Sequence, residues 1–247
     1  SAASGAWLDA ARWTGGVPNS AGAVANLTVS SASGAAQITF AQGTVTVGTL
    51  NIVTNPNYAY DFLGDVGVTS AVLRFQGAGG APAFLTVDTN GSTNTSDMRS
   101  QNGFRIDLAS DLIVNMVNAD TVFEITAAIS GSGDIYRFGD GTLRLGGVNT
   151  SLSGDILLAG GRTEITGNSA LGSGTVTLNN SAVLAATTNN VTLANDLQTG
   201  GGNATPVVVN SFAEAEAALA VYRAAFKDGA ESALVLRYTG TFAYSTI

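Results

Sequence analysis

The chain predicts an all-β solenoid, a parallel β-helix followed by a short C-terminal helix and a terminal strand. Three observations predict it. Short β-type runs punctuated by Gly, Asn, Asp or Ser extend from about Asn26 to Asn210, segments of like pattern recur near every twenty residues in the second half, and 31 of the 247 residues are glycine. The length suits one large β domain or two smaller ones, and 45% hydrophobic content is ample for a core. Disorder needs low hydrophobicity and high net charge. Here Val, Leu, Ile and Thr recur in short alternating runs and charged residues make up 11%, so the Gly and Ser richness reads as tight turns.

Residues 1–25 form an N-terminal segment around Trp7 and Trp13, which stand six apart across Asp9 and Arg12. Large aromatics close the exposed core face at the end of a solenoid, so both are end-cap candidates, preferred over a carbohydrate-stacking platform. The start, Ser1-Ala2-Ala3-Ser4-Gly5, suits a mature N-terminus left by signal-peptide cleavage, or a fragment of a longer protein.

Residues 26–209 are the β-helix. Its clearest strand stretches are 44–53, 71–75, 84–87 and 104–117, and its regular half sets 130–147, 153–167 and 172–195 beside one another, each a Gly-containing turn followed by short strands. In triplets such as Leu143-Arg144-Leu145 or Val176-Thr177-Leu178, two side chains point inward and one outward. One rung cannot bury its own face, and stacking joins these inward pairs into a continuous core. Asn149, Asn179, Asn190 and Asn195 are expected at rung corners in left-handed conformation. The glycines at 79–80, 146–147, 160–161 and 200–202 read as turns, because no helix follows any of them to complete a phosphate-cradling loop.

Residues 210–247 depart from the repeat. Ser211 and Glu214 form a capping box, and Phe212, Ala215, Leu219, Tyr222 and Phe226 then recur at spacings of three and four, predicting an amphipathic helix ending near Gly229. Phe212, Leu219 and Phe226 are thereby candidates to cap the open end of the solenoid. Beyond it Leu234, Leu236, Tyr238, Phe242 and Tyr244 share one parity of a long strand. A terminal strand with one apolar face suits addition to a neighbour's sheet, so these five are self-assembly candidates, balanced against a strand that completes its own sheet.

Composition excludes much chemistry. Net charge is −8, with nine arginines, Lys227 and no basic cluster to follow phosphates, so nucleic acid is not an expected partner. No cysteine and no histidine means no disulfide, no thiolate or imidazole metal site, no Cys nucleophile and no Ser-His-Asp triad. No run of 18 apolar residues predicts a membrane span. Glycoside hydrolysis uses paired carboxylates, for which Asp107, Asp111, Asp134 and Asp140 are the candidates. Asp107 reads instead as an outward strand residue and the other three as turn residues. The oxygen-rich segment 88–94 offers a Ca²⁺ alternative near Asp88 and Asn90, but it lacks the EF-hand and nonapeptide patterns, so a polar surface loop is preferred and no cofactor is expected.

Two stretches resemble a known group. Trp7-Leu8-Asp9-Ala10-Ala11-Arg12-Trp13-Thr14-Gly15-Gly16-Val17-Pro18-Asn19-Ser20 is similar to the opening of autotransporter passenger-type β-helix proteins. Gly139 to Thr150, Ser153-Gly154 and Ala170 to Leu178 resemble the autotransporter-associated β-strand repeat of secreted bacterial proteins. The resemblance implies a right-handed parallel β-helix, secretion, and use as a surface fibre, stalk or adhesin, without an active site. It includes no C-terminal membrane barrel in this sequence. The expected function is therefore that of a non-enzymatic extracellular structural protein that assembles with itself. An adhesin binding a surface or glycan ligand, and a polysaccharide-active β-helix enzyme, are the alternatives.

Overall fold

In the computed structural model the chain winds into a β-solenoid of about seven turns made of parallel strands. The structure describes residues 4–29, 33–89, 95–179, 182–188 and 191–199, and the backbone of two further strands at 207–209 and 236–238.

The strands follow as β1 (Gly5–Ala6), β2 (Val24–Thr28), β3 (Gly34–Phe40), β4 (Gly43–Val47), β5 (Thr49–Val53), β6 (Tyr58–Gly64), β7 (Ala71–Phe75), β8 (Ala83–Asp88), β9 (Ser96–Met98), β10 (Phe104–Leu108), β11 (Leu112–Met116), β12 (Val122–Ile125), β13 (Ala128–Gly131), β14 (Ile135–Gly139), β15 (Thr142–Leu145), β16 (Ile156–Leu158), β17 (Arg162–Ile165), β18 (Val176–Leu178), β19 (Val183–Ala186) and β20 (Leu197–Thr199). Sheet I stacks β1-β3-β6-β9-β12-β15-β17-β19, sheet II stacks β4-β7-β10-β13, and sheet III stacks β2-β5-β8-β11-β14-β16-β18-β20. A full coil visits the three sheets in the order I, II, III. Among the described residues there is no α-helix, only 3-10 turns at Ala10–Arg12 and Ala78–Gly80.

Corners divide what reads in sequence as single runs. The stretch 44–53 becomes β4 and β5, and its buried positions switch parity from Val45 and Val47 to Leu50 and Ile52 across Gly48. Gly48 sits against the backbone of Gly22, leaving no room for a Cβ. The stretch 104–117 likewise divides into β10 and β11 at residues 109–111.

The inward residues stack in columns along the axis. In sheet II, Val45, Leu73, Ile106 and Ile129 are successive register partners. In sheet III, Ala83, Leu112, Ile135, Ile156 and Val176 are as well, and all nine of these residues are buried. Each fully buried Leu or Ile contributes about 1.5–3 kcal/mol, which a single short rung could not collect alone.

The coil length is uneven in the N-terminal half, where Gly34 pairs with Tyr58 twenty-four residues on, and becomes uniform in the C-terminal half. Asp61 pairs with Asp97 thirty-six residues on, whereas Thr142 pairs with Arg162 twenty residues on and Arg162 with Val183 twenty-one. The near-twenty-residue spacing of the regular half is thus the coil itself. Sheet II ends at β13, and the next coil crosses that side without a strand, tied to it by a bridge from Gly131 to Leu152 and by the Asn149 amide on the Ile129 N–H.

One expectation is corrected. Among the described residues Asn102 is the one non-glycine with positive φ (52°), so Asn149, Asn179 and Asn195 are not left-handed corners, and Asn190 lies outside the described residues. Asn149 and Asn195 are buried and work through their side-chain amides, which reach backbone groups of neighbouring coils.

The expected helix at 210–229 lies outside the described residues. Of the expected terminal strand, β22 (Leu236–Tyr238) is described, and it pairs in parallel with β21 (Val207–Val209) of the same chain.

Candidate functional site

Four places gather the polar and aromatic groups of this fold. On the outer face of sheet III, Asp111, Asp134 and Asp155 each immediately precede a strand that stacks on the next. Asp111 Oδ1 accepts the backbone N–H of Asp134 at 3.0 Å, Asp134 Oδ1 that of Asp155 at 2.8 Å, and Asp155 Oδ1 that of Thr175 at 2.7 Å. The sequence enforces this stacking through Gly133, Gly154 and Gly174. A Cβ at Gly133 would collide with the carbonyl of Ser110, one at Gly154 with that of Gly133, and one at Gly174 with that of Gly154.

Two residues after each Asp, the outward side chains form a second column of Phe84, Ile113, Tyr136, Leu157 and Thr177. Thr86, Asn115 and Phe138 make a third. Phe84 and Phe138 are 40% and 39% exposed, unusual for two aromatics on one sheet face. The Tyr136 hydroxyl donates to Asp134 Oδ2 at 3.3 Å, and its pKa is raised by desolvation and then by Asp134, Asp111 and Asp155.

On sheet I the outward column runs Asp61, Asp97, Glu124, Arg144, Glu164. Arg99 joins the first pair, with Nε 2.7 Å from Asp97 Oδ2 and Nη2 3.2 Å from Asp61 Oδ2. Glu164 sits between Arg144 and Arg162, each at 2.7 Å, and their hydrogen bonds hold its carboxyl below the usual range. Asp97 is pushed up to about 6, by burial first and by Asp61 and Glu124 further, against the pull of Arg99. Asp61 is raised by burial, and Arg99 opposes this. Both residues are buried, which shields them from a polymeric substrate.

Inside the barrel, Arg137 interrupts the sheet III column Leu85, Val114, Arg137, Leu158 and is fully buried. Its guanidinium donates to the carbonyl of Gly139 at 2.7 Å and to those of Gly141 and Gly160. It thereby ties together the corners of two successive coils. Burial pulls its pKa down to about 10, so it remains a cation at neutral pH. The glycines at these corners bring the carbonyls close enough to be reached; a Cβ on Gly161 would strike the guanidinium.

At the N-terminal end, Trp7 is buried and its ring lies 5.2 Å from that of Phe40 in a stacked arrangement and 4.9 Å from Trp13. Trp7 Nε1 donates to the Pro18 carbonyl at 2.9 Å, and Trp13 Nε1 to the Trp7 carbonyl at 2.7 Å. A cleft of about 40 Å³ beside them, lined by Arg12, Asn26, Leu27 and Tyr60 among others, has room for a few waters at most.

The structure distributes the remaining candidates as follows. Asp107 is on sheet II, 2.7 Å from Arg74, while Asp111 and Asp134 lie together on sheet III and Asp140 is an exposed corner residue. Asp88 accepts from Asn118 Nδ2 at 2.7 Å, and Asn90 lies outside the described residues. Leu236 and Tyr238 belong to β22; Leu234, Phe242, Tyr244, Phe212, Leu219 and Phe226 lie outside the described residues. No group of three or more metal-ligating side chains among the described residues is arranged to hold an ion, and no helix among them is long and apolar enough to cross a membrane.

Arg137, Asp61, Asp97, Arg99, Asp155 and Glu164 are among the polar residues that sequence reasoning missed. Arg137 carried a signal: it has the same strand parity as Ile135, so period-2 alternation already pointed it inward. Comparison of the chain with protein-family models, with curated proteins and with solved structures gives no match.

Proposed function

We propose that this protein is a non-enzymatic extracellular structural subunit, a bacterial surface fibre element of the autotransporter-associated repeat type that assembles with copies of itself. The observation that carries this reading is how the solenoid uses its ionic groups. Asp111, Asp134 and Asp155 accept backbone N–H groups of the following coil, Glu164 joins Arg144 and Arg162, and Arg137 ties two corners. Side chains that catalysis would need free are engaged in holding one coil to the next. Among the described residues β19 and β20 each have a single strand neighbour, and strands in that position accept further strands.

Negative-stain electron microscopy of the full chain over a range of concentrations tests the proposal. Filaments that lengthen with concentration, and that are lost on deleting residues 232–247, are the expected result. A strictly monomeric protein at high concentration in analytical ultracentrifugation overturns it. The exposed Phe84 and Phe138 favour, as a second reading, an adhesin that carries its ligand on the outer face of sheet III, which glycan-array binding without polymers would support.

A further inference from the structure

Among the described residues, the outer face of sheet III sets exposed apolar side chains beside carboxylates that have no cationic partner. Its columns have the spacing of stacked strands, about 4.8 Å per coil. Phe84, Ile113, Tyr136 and Leu157 form a stripe along the axis, Phe138 flanks it, and Asp111, Asp134 and Asp155 run beside it as a rail. Among the described residues no arginine or lysine forms an ion pair with these three carboxylates, and none stands in the outward columns of β8, β11, β14, β16 or β18. That sets this face apart from sheets I and II, where Arg74, Arg99, Arg144 and Arg162 sit against acidic partners.

We infer that this face is a docking surface for an extended, lysine- or arginine-bearing segment of a partner polypeptide, laid along the solenoid axis. The three carboxylates stand at one per coil, held in line by the backbone N–H groups they accept. Like charges at that spacing repel, and cationic side chains relieve the repulsion. Phe84, Tyr136 and Phe138 offer ring faces to the same cations, and the apolar stripe accepts the aliphatic stems of Lys and Arg. The stripe from Phe84 to Thr177 covers four coil steps, roughly 19 Å, the reach of about six extended residues. Another copy of this chain is a poorer occupant, because its net charge is also negative, at −8. A neutral glycan would use the rings but leave the rail unmatched. The inference is independent of self-assembly, since the face lies along the side of the solenoid and away from its ends.

The test measures binding of a fluorescent (Lys-Thr)6 peptide to the full chain at 50 mM salt by anisotropy, with (Glu-Thr)6 and maltohexaose as comparators. Asp134→Asn with Asp155→Asn removes two charges and keeps an oxygen for each backbone N–H. A tenfold or greater weakening is expected in this double variant. The charge-matched double variant Asp65→Asn with Asp120→Asn should stay within twofold of the parent. Phe84→Ser with Phe138→Ser should weaken binding about fivefold or more with no change of charge. Equal weakening in both charge variants reduces the effect to general attraction and overturns the inference. Binding of maltohexaose in preference to the basic peptide, or no peptide binding at millimolar protein, overturns it as well. Circular dichroism and unfolding midpoints of each variant separate lost binding from lost folding.

Discussion

Asn149 Oδ1 accepts the backbone N–H of Ile129 at 2.7 Å, joining two coils at the point where sheet II gives way to an unstranded crossing. Its Nδ2 continues the chain of bonds to the Ala170 carbonyl at 2.7 Å in the coil beyond, so one buried amide substitutes for ladder bonds on both sides. Asn149→Ala leaves a donor and an acceptor unpaired in the interior and should cost about 2–4 kcal/mol. Asn149→Asp keeps the acceptor but loses the donor to Ala170. Equilibrium urea unfolding of the two variants checks both, and a loss under about 0.5 kcal/mol for Asn149→Ala would refute this role.

Arg137 should behave as a structural cation. Arg137→Met fills similar space yet strips a donor from the carbonyls of Gly139, Gly141 and Gly160, and a loss of about 2–4 kcal/mol is expected. Arg137→Lys retains the charge without the planar fork, so its stability should fall between the two. Urea midpoints at pH 7 decide the order, and a Met variant as stable as the parent would contradict the bridging role.

The stacked glycines differ sharply in what they tolerate. At Gly154 a Cβ would meet the Gly133 carbonyl, whereas at Gly167 nothing lies within 4 Å and φ is ordinary. Gly154→Ala should lose about 2–3 kcal/mol or more through overpacking. Gly167→Ala should be neutral or gain up to about 1 kcal/mol from a less flexible unfolded chain. Thermal unfolding of the pair gives the contrast directly.

Acidity should act through Asp97. Its folded pKa, about 6, lies above the ordinary 3.8, so the folded chain binds this proton more tightly than the unfolded one. The stability from this group is fully present below the ordinary value and is lost as pH rises through 6. Glu164 runs the other way: its pKa is lowered by Arg144 and Arg162, and its contribution is present above 4.5 and lost in acid. Asp97→Asn should therefore gain on the parent by about 2 kcal/mol between pH 4 and pH 7.5. Unfolding free energies at the two pH values test it, and a constant difference would rule it out.

The solenoid was legible because its signals are local. Period-2 alternation placed Leu143, Leu145 and Val176 inward, and the turn glycines placed 160–161 at a corner. Corners inside unbroken β-type runs were harder to see. The sharp one at Gly48 shows only as a shift of buried parity, and two of the asparagines expected to make corners by backbone conformation, Asn149 and Asn195, do their work through amide bonds to other coils. The sheet III rail escaped notice for a related reason. Asp111, Asp134 and Asp155 are twenty-three and twenty-one residues apart, and each alone looks like a turn aspartate; only stacking puts them in line. Asp61 and Asp97 become neighbours across the longest coil step of sheet I, which no local pattern encodes.

The uniform step of the later coils has a consequence for the size of the molecule. From Thr142 to Gly161 the chain makes one circuit and returns in register, since Thr142 pairs with Arg162 and Leu145 with Ile165. A tandem duplication of those twenty residues would bring the chain back to the same angular position about 4.8 Å further along the axis, with each new strand offered the partners its parent strand already accepts. The N-terminal coils, whose steps range from twenty-four residues (Gly34 to Tyr58) to thirty-six (Asp61 to Asp97), lack that interchangeability. Reach is thus a quantity that this architecture can adjust in half-nanometre increments at its C-terminal half, independently of whatever its N-terminal half has become specialised to do.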